Sequence, residues 1–282
     1  LLPLKDINPT QRTPWVTIAL IAANALVFLL WQPTFASGAS GELKQEIFFF
    51  CHAEIPWETT HQTNLAQGGS AAARAISDEL PFPGRRFQAL LRDGGEVRVS
   101  SSEPPVRVDG CPDKSWWQSI FVAMFLHGGW LHIAGNMLFL WIFGNNVEDK
   151  IGPVFYLLFY VLGGLAAAAA QTATSPGSVI PSLGASGAIA AVLGAYLVMF
   201  PRRRVLVLIF FFFITLIEVP AVVVLGFWFI LQAFNGTAVL AQHVDGGVAY
   251  WAHIGGFVFG LLVALAFFPK ERHPPPLPGP AW

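Results

Sequence analysis

Charge is what this chain lacks. Asp, Glu, Lys and Arg make up only 12% of its 282 residues, against 54% hydrophobic, and the mean hydropathy is +0.56. An average soluble domain carries roughly 25% charged residues, so the composition excludes an ordinary water-soluble globule and identifies a membrane protein. The 16 basic and 17 acidic residues leave a net charge of −1 with neither a basic stripe nor an acidic tail, which argues against a nucleic-acid partner. The seven histidines include no H-E-x-x-H, and no carboxylate sits within an apolar run beside His132 or His253. A metalloprotease is therefore disfavoured, and no metal is expected. The chain also lacks a repeat of about 20 to 50 residues, and its halves do not resemble one another, which weighs against a transporter built from inverted repeats. Cysteine is nearly absent. Cys51 and Cys111 are the two, too few for a disulfide framework, and both lie in the one long polar stretch.

What the chain has is apolar runs. Windows at 15–31, 119–144, 153–171, 186–200, 205–232 and 252–268 stand out against the roughly 20 residues that span a bilayer, which predicts six spans. The first has an alternative reading as a signal peptide, since Lys5 and Arg12 precede it and small residues follow. The fourth reaches only about 22 Å and underfills a ~30 Å hydrocarbon core. The fifth is too long and contains Glu218 and Pro220; it is expected to begin as an interfacial segment and to span from about Val219 to Phe234.

Basic residues orient the bundle. Lys5 and Arg12 precede the first window, Lys150 follows the second, Arg202 to Arg204 follow the fourth, and Lys270 and Arg272 follow the sixth. With six spans all four places fall on one side, which the positive-inside rule makes cytoplasmic. The expected organisation is then a cytoplasmic segment 1–14, a first helix 15–31, an extracytoplasmic insertion 32–115, a bundle 116–268 and a Pro-rich cytoplasmic tail 269–282. Gly, Ser, Pro and charges between Gln67 and Pro105 suggest weak structure there. An outside location permits Cys51 to pair with Cys111, with two free thiols as the competing reading.

The even-numbered spans run from outside to inside, so their N-terminal ends share a leaflet. Ser186 begins the fourth in "LGASGAIAAVLGAYLVMF", His253 begins the sixth in "YWAHIGGFVFG", and His132 and Asn136 lie early in the second in "FLHGGWLHIAGNMLFL". Four hydrogen-bonding side chains thus sit at similar depth, where polar groups are expensive and tend to mark function. Residues four apart share a helix face, so His132 and Asn136 point together, while His127 braces the "HGGW" loop. Small residues at four-residue spacing, Gly187, Ala191 and Ala195 on one helix and Ala252, Gly256 and Gly260 on the other, allow close helix approach. That approach brings His253 to Ser186.

A serine becomes a nucleophile when a neutral histidine takes its proton, which casts Ser186 as nucleophile and His253 as base. Donors for the resulting oxyanion are the free N–H groups opening the fourth span, which follow Gly184, together with Asn136 and a ring nitrogen of His132. Asp245 is expected to be an uninvolved loop residue, and Tyr250 or Trp251 to support the imidazole.

The motifs "GASG", "HGGWLHIAGN" and "AHIGGFVFG", each on its own span, resemble those of the rhomboid family of intramembrane serine proteases. The resemblance implies an all-α polytopic bundle of six transmembrane helices with a long outer loop after the first. It implies a Ser186/His253 dyad, oxyanion stabilisation by His132 and Asn136 with His127 nearby, and cleavage of transmembrane protein substrates in or near the bilayer without cofactor, metal or nucleotide. The expected setting is a bacterial inner membrane with both termini cytoplasmic and the site open to the outside. One departure is Gln118 in "SWWQS", where many members carry arginine. The alternatives are a channel or transporter lined by the same four polar residues, and a non-proteolytic rhomboid-like protein that binds membrane clients.

Overall fold

The computed structural model describes residues 2–35, 38–80, 84–98, 105–210, 214–242 and 248–268. Asp245 and the tail 269–282 fall outside them. The chain opens with strand β1 (Leu2–Asp6), followed by α1 (Trp15–Leu26), which continues through a wider π-type turn to Trp31. The insertion holds α2 (Gly38–His52), α3 (Pro56–His61), α4 (Gly69–Glu79) and α5 (Gly84–Asp93), then a short antiparallel pair, β2 (Gly95–Val97) and β3 (Val106–Val108). The remainder is α6 (Trp116–Ala123), α7 (Trp130–Phe139), a π-type turn Leu140–Gly144, α8 (Asn145–Ile151), α9 (Pro153–Thr174), α10 (Ser186–Met199), strands β4 (Arg204–Phe210) and β5 (Ile214–Pro220), α11 (Ala221–Gln242) and α12 (Tyr250–Phe267).

One expectation needs correction and two are made more specific. The chain is mostly helical but not all-α: β1, β4 and β5 form an antiparallel sheet in the order β1-β4-β5. The fifth window, expected to begin as an interfacial segment with its span starting near Val219, does change structure there, α11 starting at Ala221. Its first part is the β4–β5 hairpin, because β-branched residues recur along "RVLVLIF" and "ITLIEVP" and favour strand. Pro220, with no N–H to give a ladder, ends β5 where α11 begins. The second window is interrupted at the "HGGW" loop: α6 stops at Ala123 and α7 starts at Trp130, with Gly129 extended at its N-cap. Among the described residues, Pro153–Thr174, Ala221–Ala238 and Tyr250–Phe267 are long and apolar enough to cross a membrane, while Trp15–Trp31 and Ser186–Met199 are apolar but shorter.

α10 is the axis of the bundle. Its residues from Gly187 to Tyr196 are buried on every side, as expected for a helix apolar all round, and it packs chiefly on α12 and α9. One end of the bundle carries the sheet. There β1 is tied down by Asp6, whose carboxylate accepts from Tyr196 Oη at 3.0 Å and from Asn146. At the same end Glu148 caps α1 from a distance, accepting from the Val16 and Thr17 amides at 2.9 and 2.7 Å.

The opposite end carries the insertion, which is structured rather than weakly ordered. Ile47, Phe50, Trp57, Leu65, Ile76, Phe87 and Leu91 form a core of their own, and Cys51 is joined to Cys111 with Cα atoms 5.6 Å apart. Composition misled here. The segment is rich in Gly, Ser and charge, yet Ala72, Ala73 and Ile76, then Phe87 and Leu91, lie on one face of successive short helices. A buried ion pair, Lys114 to Glu58 at 2.7 Å, adds to this core.

Glu54 docks the insertion on the bundle. Its carbonyl accepts from the Ser182 amide at 2.7 Å, and its carboxyl, 2% exposed as a residue, accepts from Thr172 at 3.0 Å and Thr59 at 3.2 Å. Burial pushes this carboxyl up from 4.5 to about 7, against the opposing pull of the two threonines and Lys114, with Glu58 adding to the rise. The folded state therefore binds the proton more tightly than the unfolded chain. The contribution of this one carboxyl to stability is fully present below pH 4.5 and is lost as pH rises towards 7, a loss of at most roughly 3 kcal/mol. Glu54→Gln keeps an acceptor for both hydroxyls and cannot ionise. Its Tm in detergent should vary less with pH than that of the unsubstituted protein and exceed it at pH 8; equal Tm values throughout would refute this account of the dock.

Candidate active site

The loop before α10 fixes the serine. Gly184 adopts φ +123°, a region that side-chain-bearing residues rarely enter, and its N–H donates to Ala123 O at 2.8 Å. This turn delivers Ser186 into the first turn of α10, whose N–H groups have no partner within the helix and form its positive end.

α12 brings the histidine. Gly256 lies against the carbonyl oxygen of Gly187, Gly260 against that of Ala191, and Gly194 of α10 against that of Phe257, so that any Cβ at these glycines would overlap backbone. Gly187 packs against the side-chain methyl of Ala167 on α9, which a Cβ there would also overlap. With the backbones this close, His253 Nε2 stands 2.7 Å from Ser186 Oγ. Both residues are half-buried.

α7 brings the third group. His132 Nδ1 accepts from the Gly128 N–H at 3.2 Å, which leaves the ring proton on Nε2. A methyl placed on Gly184 would lie 2.9 Å from that Nε2 and 3.5 Å from Ser186 Oγ, so the ring nitrogen and the hydroxyl both lie close to one point. Asn136, on the same helix and 7% exposed, spends one amide hydrogen on its own helix, donating to His132 O at 2.8 Å. His127 is fully buried, its ring 5.2 Å from that of His132.

Four contributors escaped sequence reasoning. Gln32 clamps the His127 backbone, donating to its carbonyl at 2.8 Å and accepting from its N–H at 2.9 Å. Gln171 of α9 accepts from the Ala252 N–H at 3.3 Å and so caps α12. Gln232 Oε1 of α11 lies 2.8 Å from His253 Nδ1. Trp228, also of α11, places its ring 5.8 Å from the imidazole, and Tyr250 and Trp251, expected to support that ring, line the cavity. The only signal for the glutamines was a polar side chain inside or at the end of an apolar run. Gln118 is exposed on α6, and the joined cysteines belong to the insertion.

A cavity of about 1230 Å³ reaches the site at His132, with Leu183 and Trp251, near neighbours of Ser186 and His253, in its wall. His132, Leu183 and Tyr250 belong to its bundle side, and Trp57, Ala71 and Arg74 to its insertion side.

A rhomboid-domain family model matches residues 113–270. Over 153 residues the chain is 33% identical to rhomboid protease GluP of Bacillus subtilis, covering 54% of this chain and 26% of that protein. It is 30% identical over 151 residues to rhomboid protein 1, mitochondrial, of Saccharomyces cerevisiae, covering 51% and 40%. The mouse presenilin-associated rhomboid-like protein, mitochondrial, is 27% identical over 240 residues, covering 82% and 54%. The matches thus span from about a quarter to about half the length of these relatives. The chain belongs to the rhomboid family and is an integral membrane protein.

Proposed function

We propose that the protein is an intramembrane serine endopeptidase that cleaves transmembrane proteins in or near the bilayer, with Ser186 as nucleophile and His253 as base. The observation that carries this reading is the 2.7 Å contact between Ser186 Oγ and His253 Nε2, close to a cavity that His132 and Trp251 line. Family membership supports it, since GluP is named a rhomboid protease.

The chemistry follows from the geometry. Ser186 Oγ attacks the carbonyl carbon of the scissile peptide, and its proton passes to His253 Nε2. The carbonyl oxygen becomes an oxyanion facing His132 Nε2–H, the first-turn N–H groups of α10 and the second amide hydrogen of Asn136. His253 then returns its proton to the departing amine and leaves an ester on Ser186. Water, deprotonated by the same imidazole, releases the acid product. Both the short fourth helix and the cavity near it serve the last step, because they let water reach an atom that lies below the membrane surface. The substrate helix has its own carbonyls bonded and unwinds before attack, with its extramembrane part lying between the insertion and the bundle.

In this reading the bundle has six spans, the second formed by α7 with its π-type turn and α8. The sheet end is cytoplasmic with both termini, the insertion is extracytoplasmic, and the site opens outward. A bacterial inner membrane is the proposed setting.

Labelling with a serine-reactive fluorophosphonate tests the dyad. The unsubstituted protein should be labelled, Ser186→Ala should not be, and His253→Ala should be slowed by about 10³-fold or more. Equal labelling of all three would overturn the assignment.

A further inference from the structure

His253 makes two ring hydrogen bonds, and the dyad uses one. For Nε2 to take a proton from Ser186 it must present a lone pair, so the ring's proton must sit on Nδ1. A buried N–H of that kind needs an acceptor. Gln232 Oε1 is 2.8 Å away. It arrives from α11, a different helix from those carrying Ser186 and His253, and its neighbours in "FWFILQAF" are apolar. An amide on such a helix is costly unless bonded.

We infer that Gln232 is a positioning residue: its amide oxygen holds the Nδ1 proton of His253 and so fixes Nε2 as the acceptor for the Ser186 hydroxyl. The inference rests on the dyad reading and adds a third member to it. An amide suits this place because its oxygen accepts without carrying a charge in the lipid region. A second contact from α11, the Trp228 ring beside the imidazole, limits its tilt. Two side chains one helical turn apart, Trp228 and Gln232, therefore hold the ring's plane and its tautomer. The base is set for proton transfer only while α11 is seated against α12. His132, on α7, is the ionisable neighbour that couples to His253 and is common to all variants below.

The test is the rate of fluorophosphonate labelling against pH for the full chain in detergent and its Gln232→Leu and Gln232→Glu variants, each checked for Tm. Gln232→Leu should fold and be labelled about tenfold more slowly on the plateau, the worth of one oriented hydrogen bond. Its pH midpoint should move down, because the imidazolium loses an acceptor. Gln232→Glu should be labelled within about threefold of the unsubstituted rate, with the midpoint moved up by about one unit. A merely structural role predicts a lower Tm with both midpoints unmoved, and that result overturns the inference. Should Gln232→Leu not fold, an unmoved midpoint in Gln232→Glu alone overturns it. Absence of Ser186 labelling in the unsubstituted protein would instead refute the dyad itself.

Discussion

Gly256→Val is expected to abolish hydrolysis and to lower stability by about 3 kcal/mol or more, towards the upper end of what overpacking does. A Cβ at this position meets the backbone of Gly187, and backbone cannot move aside as a flexible side chain can. Relief requires α12 to back away from α10, and the helix pair that does so carries Ser186 and His253 one residue before Gly187 and three before Gly256. A shift of about 1 Å between these helices breaks a 2.7 Å contact, and misplacement on that scale can cost about 10²-fold in rate. Stability and activity should therefore fall together. Gly135→Ala is the control: it lies in α7, where a Cβ meets nothing within 4 Å, and replacing glycine in a helix is neutral to mildly stabilising. Thermal midpoints in detergent and hydrolysis of a transmembrane reporter check both variants. A fully active, normally stable Gly256→Val would mean that the two helices do not need this approach.

The contrast between those glycines marks what could be read without coordinates. Gly256 and Gly260, like Gly187 and Ala191, stand at four-residue spacing, a common stripe in membrane helices that became informative because Ser186 and His253 lie immediately beside it. Ser186 and His253 were legible for that reason. The windows that became α9, α10 and α12 were legible from hydropathy alone. The β4–β5 hairpin was not, because apolar runs of similar composition suit a strand or a helix segment equally and only the alternation of β-branched residues separates them. The insertion was misjudged because composition was weighed over the faces of short helices. Gln232, Trp228, Gln171 and Gln32 were missed for a different reason. Each acts across a helix–helix boundary, and which side chain faces a neighbour depends on the rotation of α1, α9 or α11, which hydropathy leaves nearly undetermined when a helix is apolar all round.

Among side-chain truncations outside the dyad, the largest effect should come from the oxyanion donors, and the two candidates should not be equal. His132→Ala removes a ring nitrogen that lies close to the same point as the Ser186 hydroxyl, with its tautomer fixed by the Gly128 amide. Loss of one such donor lowers kcat by about 10² to 10³-fold. KM should hardly change, since the donor acts on a charge that exists only in the transition state. Asn136→Ala removes an amide already committed in part to His132 O. Its effect on kcat should be smaller, about tenfold, and accompanied by a lower Tm, because the same substitution removes a hydrogen bond to the part-buried His132 carbonyl. The double variant should fall short of the product of the two, as expected for neighbours on one helix turn that act on one oxygen. Steady-state hydrolysis of a reporter by the three variants decides the matter. If Asn136→Ala proves the more damaging in kcat at unchanged Tm, the amide must swing away from its own helix when substrate binds, and the roles of the two side chains are exchanged.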